Sequence, residues 1–288
     1  MDTQLNMTLS KRKSSFDLTT VVLRCFTWLM AGMTGAILIG LLGYIFISGI
    51  PYLKPDLFSW KYTTDNVSML PALINTFLMA GLSLLISVPL GVGSAVYLNE
   101  YAKPGSRVVK VIMVAAQTLA GVPSIVFGLF GMLMFVKFFH LGLSLLSGAL
   151  TLSLMVLPSI LQTSLEALKA QPMSLREGSY GLGAGKLRTV FVILLPAAST
   201  GILSGIILAM GRMMGETAAL IYTSGTLGSI AWNLTTPGST LAVHMYKLMN
   251  EGLFMNQAAA VSVVLTILVL TMNLLSGMLQ QKILKGRV

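Results

Sequence analysis

Two charged residues stand where an apolar chain should hold none. Arg212 and Glu216 occur in the run Gly211-Arg212-Met213-Met214-Gly215-Glu216-Thr217-Ala218, at the end of a long hydrophobic segment. An arginine at the centre of a membrane span costs roughly 2.5–3.5 kcal/mol on insertion scales, so it needs a partner or a purpose. A guanidinium can hold a tetrahedral oxyanion through two parallel hydrogen bonds. Glu216 can orient that guanidinium, or accept a hydrogen bond from a protonated anion such as hydrogen phosphate, whereas it would only repel sulfate. Arg212, Glu216 and the adjoining Thr217 are therefore candidates for a substrate path. A structural reading stands beside this one. If both charged residues are helical, their i,i+4 spacing puts them on one face, where they pair at a helix end.

A second unusual run is Gly121-Val122-Pro123-Ser124-Ile125-Val126-Phe127-Gly128-Leu129-Phe130-Gly131. Pro123 removes a helical hydrogen bond and kinks the chain. Gly128 and Gly131 let another helix approach closely. The run is either a kinked packing helix or part of a gate, with Pro123 and Gly128 as the residues that matter. Pro89, Gly91 and Gly93 repeat the pattern in milder form.

The third feature is the run from Glu177 to Pro196, EGSYGLGAGKLRTVFVILLP. Ser174-Leu175-Arg176-Glu177 fits a capping box, which would start a helix near Leu175. Pro172 ends what precedes it. Gly181, Gly183 and Gly185 stop the short helix, since glycine accepts positive φ. The chain restarts as a helix at about Lys186. The expected shape is an elbow lying across the membrane face.

These residues must be carried by membrane spans. The chain is 55% hydrophobic and only 10% charged, against roughly 25% charged in a soluble domain. About 20 apolar residues cross the ~30 Å hydrocarbon core. Six segments qualify, at residues 25–48, 70–97, 108–136, 143–165, 190–214 and 257–279. The 217–230 stretch is apolar but short and rich in Gly and Thr, and reads as re-entrant or broken. Four basic residues (Lys11, Arg12, Lys13, Arg24) precede the first segment, which is too long for a cleaved signal and stays as a helix.

Fourteen Lys and Arg residues fall at the two ends, in the 99–110 connection and in the motif loop, against four in the opposite loops. This bias places both termini and the motif loop in the cytoplasm. Trp60, Tyr62, Trp232 and Tyr246 then lie on the outer side, where aromatic rings favour the headgroup level. The expected organisation is a cytoplasmic tail at 1–24, a six-span membrane domain at 25–280 with the cytoplasmic motif loop at about 168–190, and a cytoplasmic tail at 281–288.

Several chemistries are excluded. No G-x-x-x-x-G-K-[ST] phosphate loop is present, and Gly183-Ala184-Gly185-Lys186 lacks its spacing. No cluster of His, Cys, Asp and Glu has metal spacing, and no catalytic residue is visible. His140 and His244 fall in separate outer loops and read as exposed interfacial residues. The single cysteine, Cys25, forms no intrachain disulfide. The net charge of +10 is spread over loops rather than gathered into an aromatic-interleaved patch, which argues against nucleic acid.

The elbow run resembles the EAA loop of ABC importer permeases. That pattern is Glu-Ala-Ala, three residues, Gly, nine residues, then Ile-x-Leu-Pro. Glu177, Gly183, Ile193, Leu195 and Pro196 occupy its fixed positions, while Gly178 and Ser179 replace the alanines. The resemblance implies an all-α, MetI-like membrane fold of six helices. It also implies that Glu177, Gly178, Ser179 and Gly183 contact a separate ATP-binding subunit. The runs at 121–131 and 211–218, together with 95–102, are similar to those of phosphate importer permeases. That likeness implies a multi-pass protein of a bacterial or archaeal plasma membrane. It further implies a second permease, two copies of an ATPase and an extracytoplasmic phosphate-binding protein. ATP and Mg would sit on the ATPase, and this chain would bind no cofactor. Left open are another oxyanion (sulfate, molybdate or phosphonate) and, from a different class, a stand-alone channel or carrier.

Overall fold

A computed structural model describes residues 18–103 and 105–285. Lys11, Arg12, Lys13 and Arg287, with the outer parts of both expected tails, lie outside the described residues. Every described regular element is helical. The long elements are α1 (Leu18–Gly49), α2 (Leu70–Val96), α3 (Arg107–Ala120), α4 (Ser124–Gly131) and α5 (Leu145–Lys169). The elbow comprises α6 (Met173–Gly181) and the single turn α7 (Lys186–Arg188). After it come α8 (Leu195–Met214), α9 (Ala218–Ile221), α10 (Leu241–Glu251) and α11 (Met255–Lys285). Wider π turns extend α2 through Tyr97–Tyr101, extend α4 through Met132–Phe138, and join α7 to α8 through Thr189–Leu194.

Among the described residues, five helical stretches are long and apolar enough to cross a membrane. A sixth is reached only if the bent pair α3–α4 counts as one span, and here the expectation of one kinked helix is corrected. The two helices meet at 104°. Gly121 closes α3, and Pro123 takes an extended ψ of 142° as the residue before α4. Proline has no N–H to continue the ladder, so the chain turns rather than bends.

The chain divides into two compact units, residues 1–48 and 49–288. In the first, α1 is a single uninterrupted helix without a polar face, as expected of a membrane span. In the second, α5 is central. Two-thirds of its most apolar window is buried, against a third or less for α2, α8 and α11. Small residues make this possible. Gly91 of α2 faces Ile160, Gly148 of α5 faces Met79, and Gly201 and Gly205 of α8 face Ala167 and Thr163. Serines stitch α2 to α5: Ser83 Oγ donates to the Ala149 carbonyl and Ser153 Oγ to the Ser83 carbonyl, both at 3.1 Å. Such bonds hold helices together in lipid, where apolar side chains alone have no reason to associate.

The connection between α9 and α10 is fixed by one side chain of α2. Asn75 Nδ2 donates to the carbonyls of Ser229 (2.9 Å) and Ser239 (3.2 Å), and its Oδ1 accepts from Ala231 N–H (2.9 Å). Next to it, Thr76 Oγ1 accepts from Leu241 N–H at 2.8 Å, where α10 begins.

His244, expected to be exposed, is only 1% exposed. Thr240 caps α10 and turns this histidine inward. Its Nε2 donates to the Val67 carbonyl at 3.2 Å, and its ring meets Tyr62 edge-on at 5.8 Å. Burial lowers its pKa below the ordinary 6.5. The Val67 carbonyl works against this, Lys247 adds to the lowering, and Glu251 opposes it. Below pH 6.5 the unfolded chain therefore takes up a proton that the folded one resists. Stability present above that pH is lost as the pH falls towards the depressed value. We expect the unfolding free energy in detergent to fall between about pH 7 and pH 5, by up to about 1.4 kcal/mol per pH unit from this group, and the melting temperature to fall with it. His244→Gln should flatten the slope, and an unchanged slope would remove this histidine as the cause.

Candidate functional site

The anion candidate is built at the end of α8. Gly215 closes that helix, so Arg212 sits in its last turn, where a cation also complements the helix dipole. The expected helical pairing of Arg212 with Glu216 does not occur, because the helix ends between them. Glu216 instead turns towards α9, and its Oε1 accepts from the Ala219 N–H at 3.1 Å. Thr217 precedes α9, and its Oγ1 makes only a long 3.5 Å approach to the Gly215 carbonyl. Among the described residues, Arg212 makes no hydrogen bond or ion pair.

Arg212 lines a cavity of about 380 Å³ between α5, α8 and α11. Its polar companions there are Ser159 and Asn273. Neither was singled out in the sequence. The signals were Pro158 beside Ser159, which loosens α5 at that level, and one amide in the apolar run of α11. Arg212 thus joins Ser159 and Asn273, while Glu216 and Thr217 do not line the cavity. A guanidinium, a hydroxyl and an amide together supply donors and acceptors suited to a partly protonated oxyanion.

Pro123 and Gly128 do not line this cavity; they belong to the contact of α4 with α9. A Cβ on Gly128 would come within 2.8 Å of the Ala219 Cα, and one on Gly131 would collide with Thr151 and Thr223. Gly128 therefore lets α4 rest directly on α9, the element that begins just after Glu216, and Gly131 lets it close on Thr151 of α5 and on Thr223 just past α9. Pro123 sets the 104° turn that aims α4 at α9. The 217–230 stretch, expected to be re-entrant or broken, is the short α9 followed by non-helical chain.

The elbow forms with one correction. α6 starts at Met173 with Pro172 as its capping residue, so Ser174 is already helical and no capping box forms. The Leu175 N–H donates to the Pro172 carbonyl at 3.2 Å. Proline sets the start because its fixed φ suits the entry to a helix. At the other end Gly183 has φ +81°, with Gly183 N–H on the Tyr180 carbonyl (2.9 Å) and Ala184 N–H on the Ser179 carbonyl (3.1 Å). This is a Schellman turn, whose left-handed position favours glycine. Gly181 stays helical, and Gly185 is extended at φ −72°.

The predicted coupling residues divide between two faces. Glu177, Gly178 and Gly183 are exposed. Ser179 is buried, and its hydroxyl shares a 2.8 Å hydrogen bond with that of Thr189 across the bend. It closes the elbow rather than facing outward. Around the tip, Leu182 is 90% exposed, and Met173, Tyr180 and Leu187 are exposed with it. Exposed apolar side chains of this kind suit contact with another protein or with the membrane.

Two further contacts fasten the elbow, and neither was visible in the sequence. Arg176 pairs with Glu100 at 2.9 Å, and Lys186 lies over the Tyr101 ring at 4.8 Å. A cavity of about 920 Å³ between α2 and the α7–α8 run is apolar and holds none of the charged candidates.

Comparison with known proteins places this geometry in context. Residues 87–287 match the family described as "Binding-protein-dependent transport system inner membrane component". A probable ABC transporter permease protein of Bacillus subtilis, YqgI, is 36% identical over 280 residues, covering 89% of this chain and 93% of its own. The phosphate transport system permease protein PstA of Haemophilus influenzae is 33% identical over 238 residues, covering 81% and 83%. A chain of a bacterial alginate ABC transporter has the same fold, with a TM-score of 0.62 at 17% identity over 92% of this chain and 94% of its own. A chain of the inward-facing MetNI methionine transporter does too, at 0.58 and 19% identity over 74% and 93%.

Proposed function

Because the chain belongs to the family of inner membrane components of binding-protein-dependent transport systems, we propose that its cargo is inorganic phosphate and that Arg212 holds the anion on its way inward. The chain itself is a multi-pass ABC importer permease, a transport subunit. The observation that carries the phosphate reading is the Arg212 guanidinium, without a hydrogen-bond or ion-pair partner among the described residues, lining one cavity with Ser159 and Asn273. The phosphate-transport names of relatives such as the Haemophilus influenzae protein support it.

In this reading the chain is the PstA-like half of a permease pair, with a PstC-like second permease. Two PstB-like ATPase subunits bind ATP and Mg, and a PstS-like protein delivers phosphate from outside. Residues 25–280 form the permease domain, and 1–24 and 281–288 are cytoplasmic tails. Glu177, Gly178 and Gly183 meet the ATPase, with Ser179 bracing the bend behind them. ATP binding closes the ATPase pair and pulls on residues 174–188, and hydrolysis resets them. Pro123 and Gly128 hold α4 against the start of α9 and so shape the path beside Arg212.

The related folds include methionine and alginate transporters, so fold alone leaves the cargo open. The test is uptake of labelled phosphate in cells without their own high-affinity system, supplied with the whole complex. ATP-dependent uptake that excess sulfate does not compete away is expected. Uptake of sulfate, molybdate or phosphonate instead would keep the importer and replace its cargo.

A further inference from the structure

We propose that Glu100 is a positioning residue for energy coupling: it ties the elbow to the end of α2, so that a displacement of the elbow moves α2 together with α8. The idea rests on the reading of the elbow as the ATPase contact. Glu100 and Tyr101 are adjacent in the π turn that ends the second span. Each grips a different leg of the elbow.

On the first leg, Arg176 donates to Glu100 Oε1 from both Nε (3.1 Å) and Nη2 (2.9 Å). The same guanidinium reaches the carbonyls of Leu168 (3.3 Å) and Gln171 (3.4 Å), at the end of α5. Asn99 Nδ2 donates to the same carboxylate oxygen at 2.7 Å. The two charged side chains are only 5% and 12% exposed. On the second leg, Lys186 sits over the face of Tyr101, a geometry in which cation and ring attract.

The connectivity gives these contacts their meaning. The elbow runs straight into α8, so any pull on it reaches that helix through the chain. α2 has no such connection, because Glu100 and Arg176 are 76 residues apart. Their flanking helices are separated on one side by the apolar groove, with Val92, Gly93 and Tyr97 on one wall and Phe191, Leu195 and Ile202 on the other. The clasp bridges this level and also engages the end of α5. It makes the ends of α2 and α5 and both legs of the elbow one body. A buried ion pair is by itself weak evidence for stability, because desolvation offsets much of its attraction. Its position where the elbow meets the end of a span distant in sequence argues for transmission instead.

The test uses the whole complex in proteoliposomes, with inorganic phosphate as the transported probe. Three quantities are read: cross-linking of Leu182→Cys to the ATPase, ATP hydrolysis, and phosphate moved per ATP. Glu100→Gln should leave the cross-link and hydrolysis in place and lower phosphate per ATP by about tenfold, a coupling loss of ordinary size. An unchanged ratio overturns the proposal. If that variant fails to assemble, Glu100→Cys with Arg176→Cys in a Cys25→Ser background replaces it. A bifunctional thiol cross-linker between the two should restore phosphate per ATP, which a purely packing role would not allow. No recovery on cross-linking also overturns the proposal. Absence of any Leu182 cross-link in the otherwise native complex would instead sink the ATPase-contact reading, and this one with it.

Discussion

Arg212→Ala should abolish phosphate uptake at low external phosphate while leaving the complex assembled. Both halves of this result follow from the same geometry. The guanidinium makes no hydrogen bond or ion pair with the described residues, so its loss removes little that holds the fold. It also removes an uncompensated charge from an expensive place. An anion in the cavity would lose its charged hydrogen-bond partner, which typically costs about 2–5 kcal/mol. That corresponds to roughly thirty-fold or more in occupancy. Radiolabelled uptake together with the yield of purified complex checks both halves. Normal uptake would move the anion path away from Arg212. Loss of assembly would restore a structural role for it. Arg212→Lys should recover only part of the activity, because a lysine keeps the charge but not the planar fork.

Gly183→Asp should break coupling without breaking the permease. The position is left-handed, at φ +81°, and a Cβ there meets nothing within 4 Å in this chain. Aspartate is among the residues that tolerate that conformation best, so the fold cost is small. What changes is the outer surface. A charged side chain would be pushed into the apolar contact formed by Leu182 and its neighbours. Such a group at the centre of an interface costs about 2 kcal/mol or more, roughly thirty-fold in docking affinity. The ATPase should be lost on purification, and binding-protein-stimulated hydrolysis should disappear. Native stimulation with native uptake would show that Gly183 is needed only for its turn.

Most of the fold was legible because hydropathy is a local property. The spans at 70–97, 143–165, 190–214 and 257–279 are found as helices, and the elbow's stop at Gly183 was readable from glycine's conformational freedom. The misses share one cause, which is that tertiary contacts decide them. Pro123 announced a kink, but the 104° turn also has α4 lying on the backbone of α9, which Gly128 allows. The i,i+4 spacing of Arg212 and Glu216 suggested a pair, yet Gly215 ends the helix between them and Glu216 caps the next one. Ser174 and Glu177 fit a capping box, but Pro172 starts the helix early and uses neither. His244 looked like a loop residue until α10 folded it against the Val67 carbonyl. Ser159, Asn273 and Glu100 could not be singled out, because their partners lie on helices far away in the chain.

The elbow's own closure has a consequence for how fast and how tightly a partner can engage it. The Schellman turn, the Ser179–Thr189 hydrogen bond and the Glu100 clasp all form within this chain. If the elbow is the ATPase contact proposed above, its ordering is therefore completed within this chain and not at the moment of contact. Association with a preorganised surface avoids the entropy of arranging a loop at the moment of contact. It also calls for no slow rearrangement, so recruitment can proceed at rates set by diffusion and orientation. On the proposed reading, in which the elbow binds and is pulled in every transport cycle, these contacts make it a rigid handle.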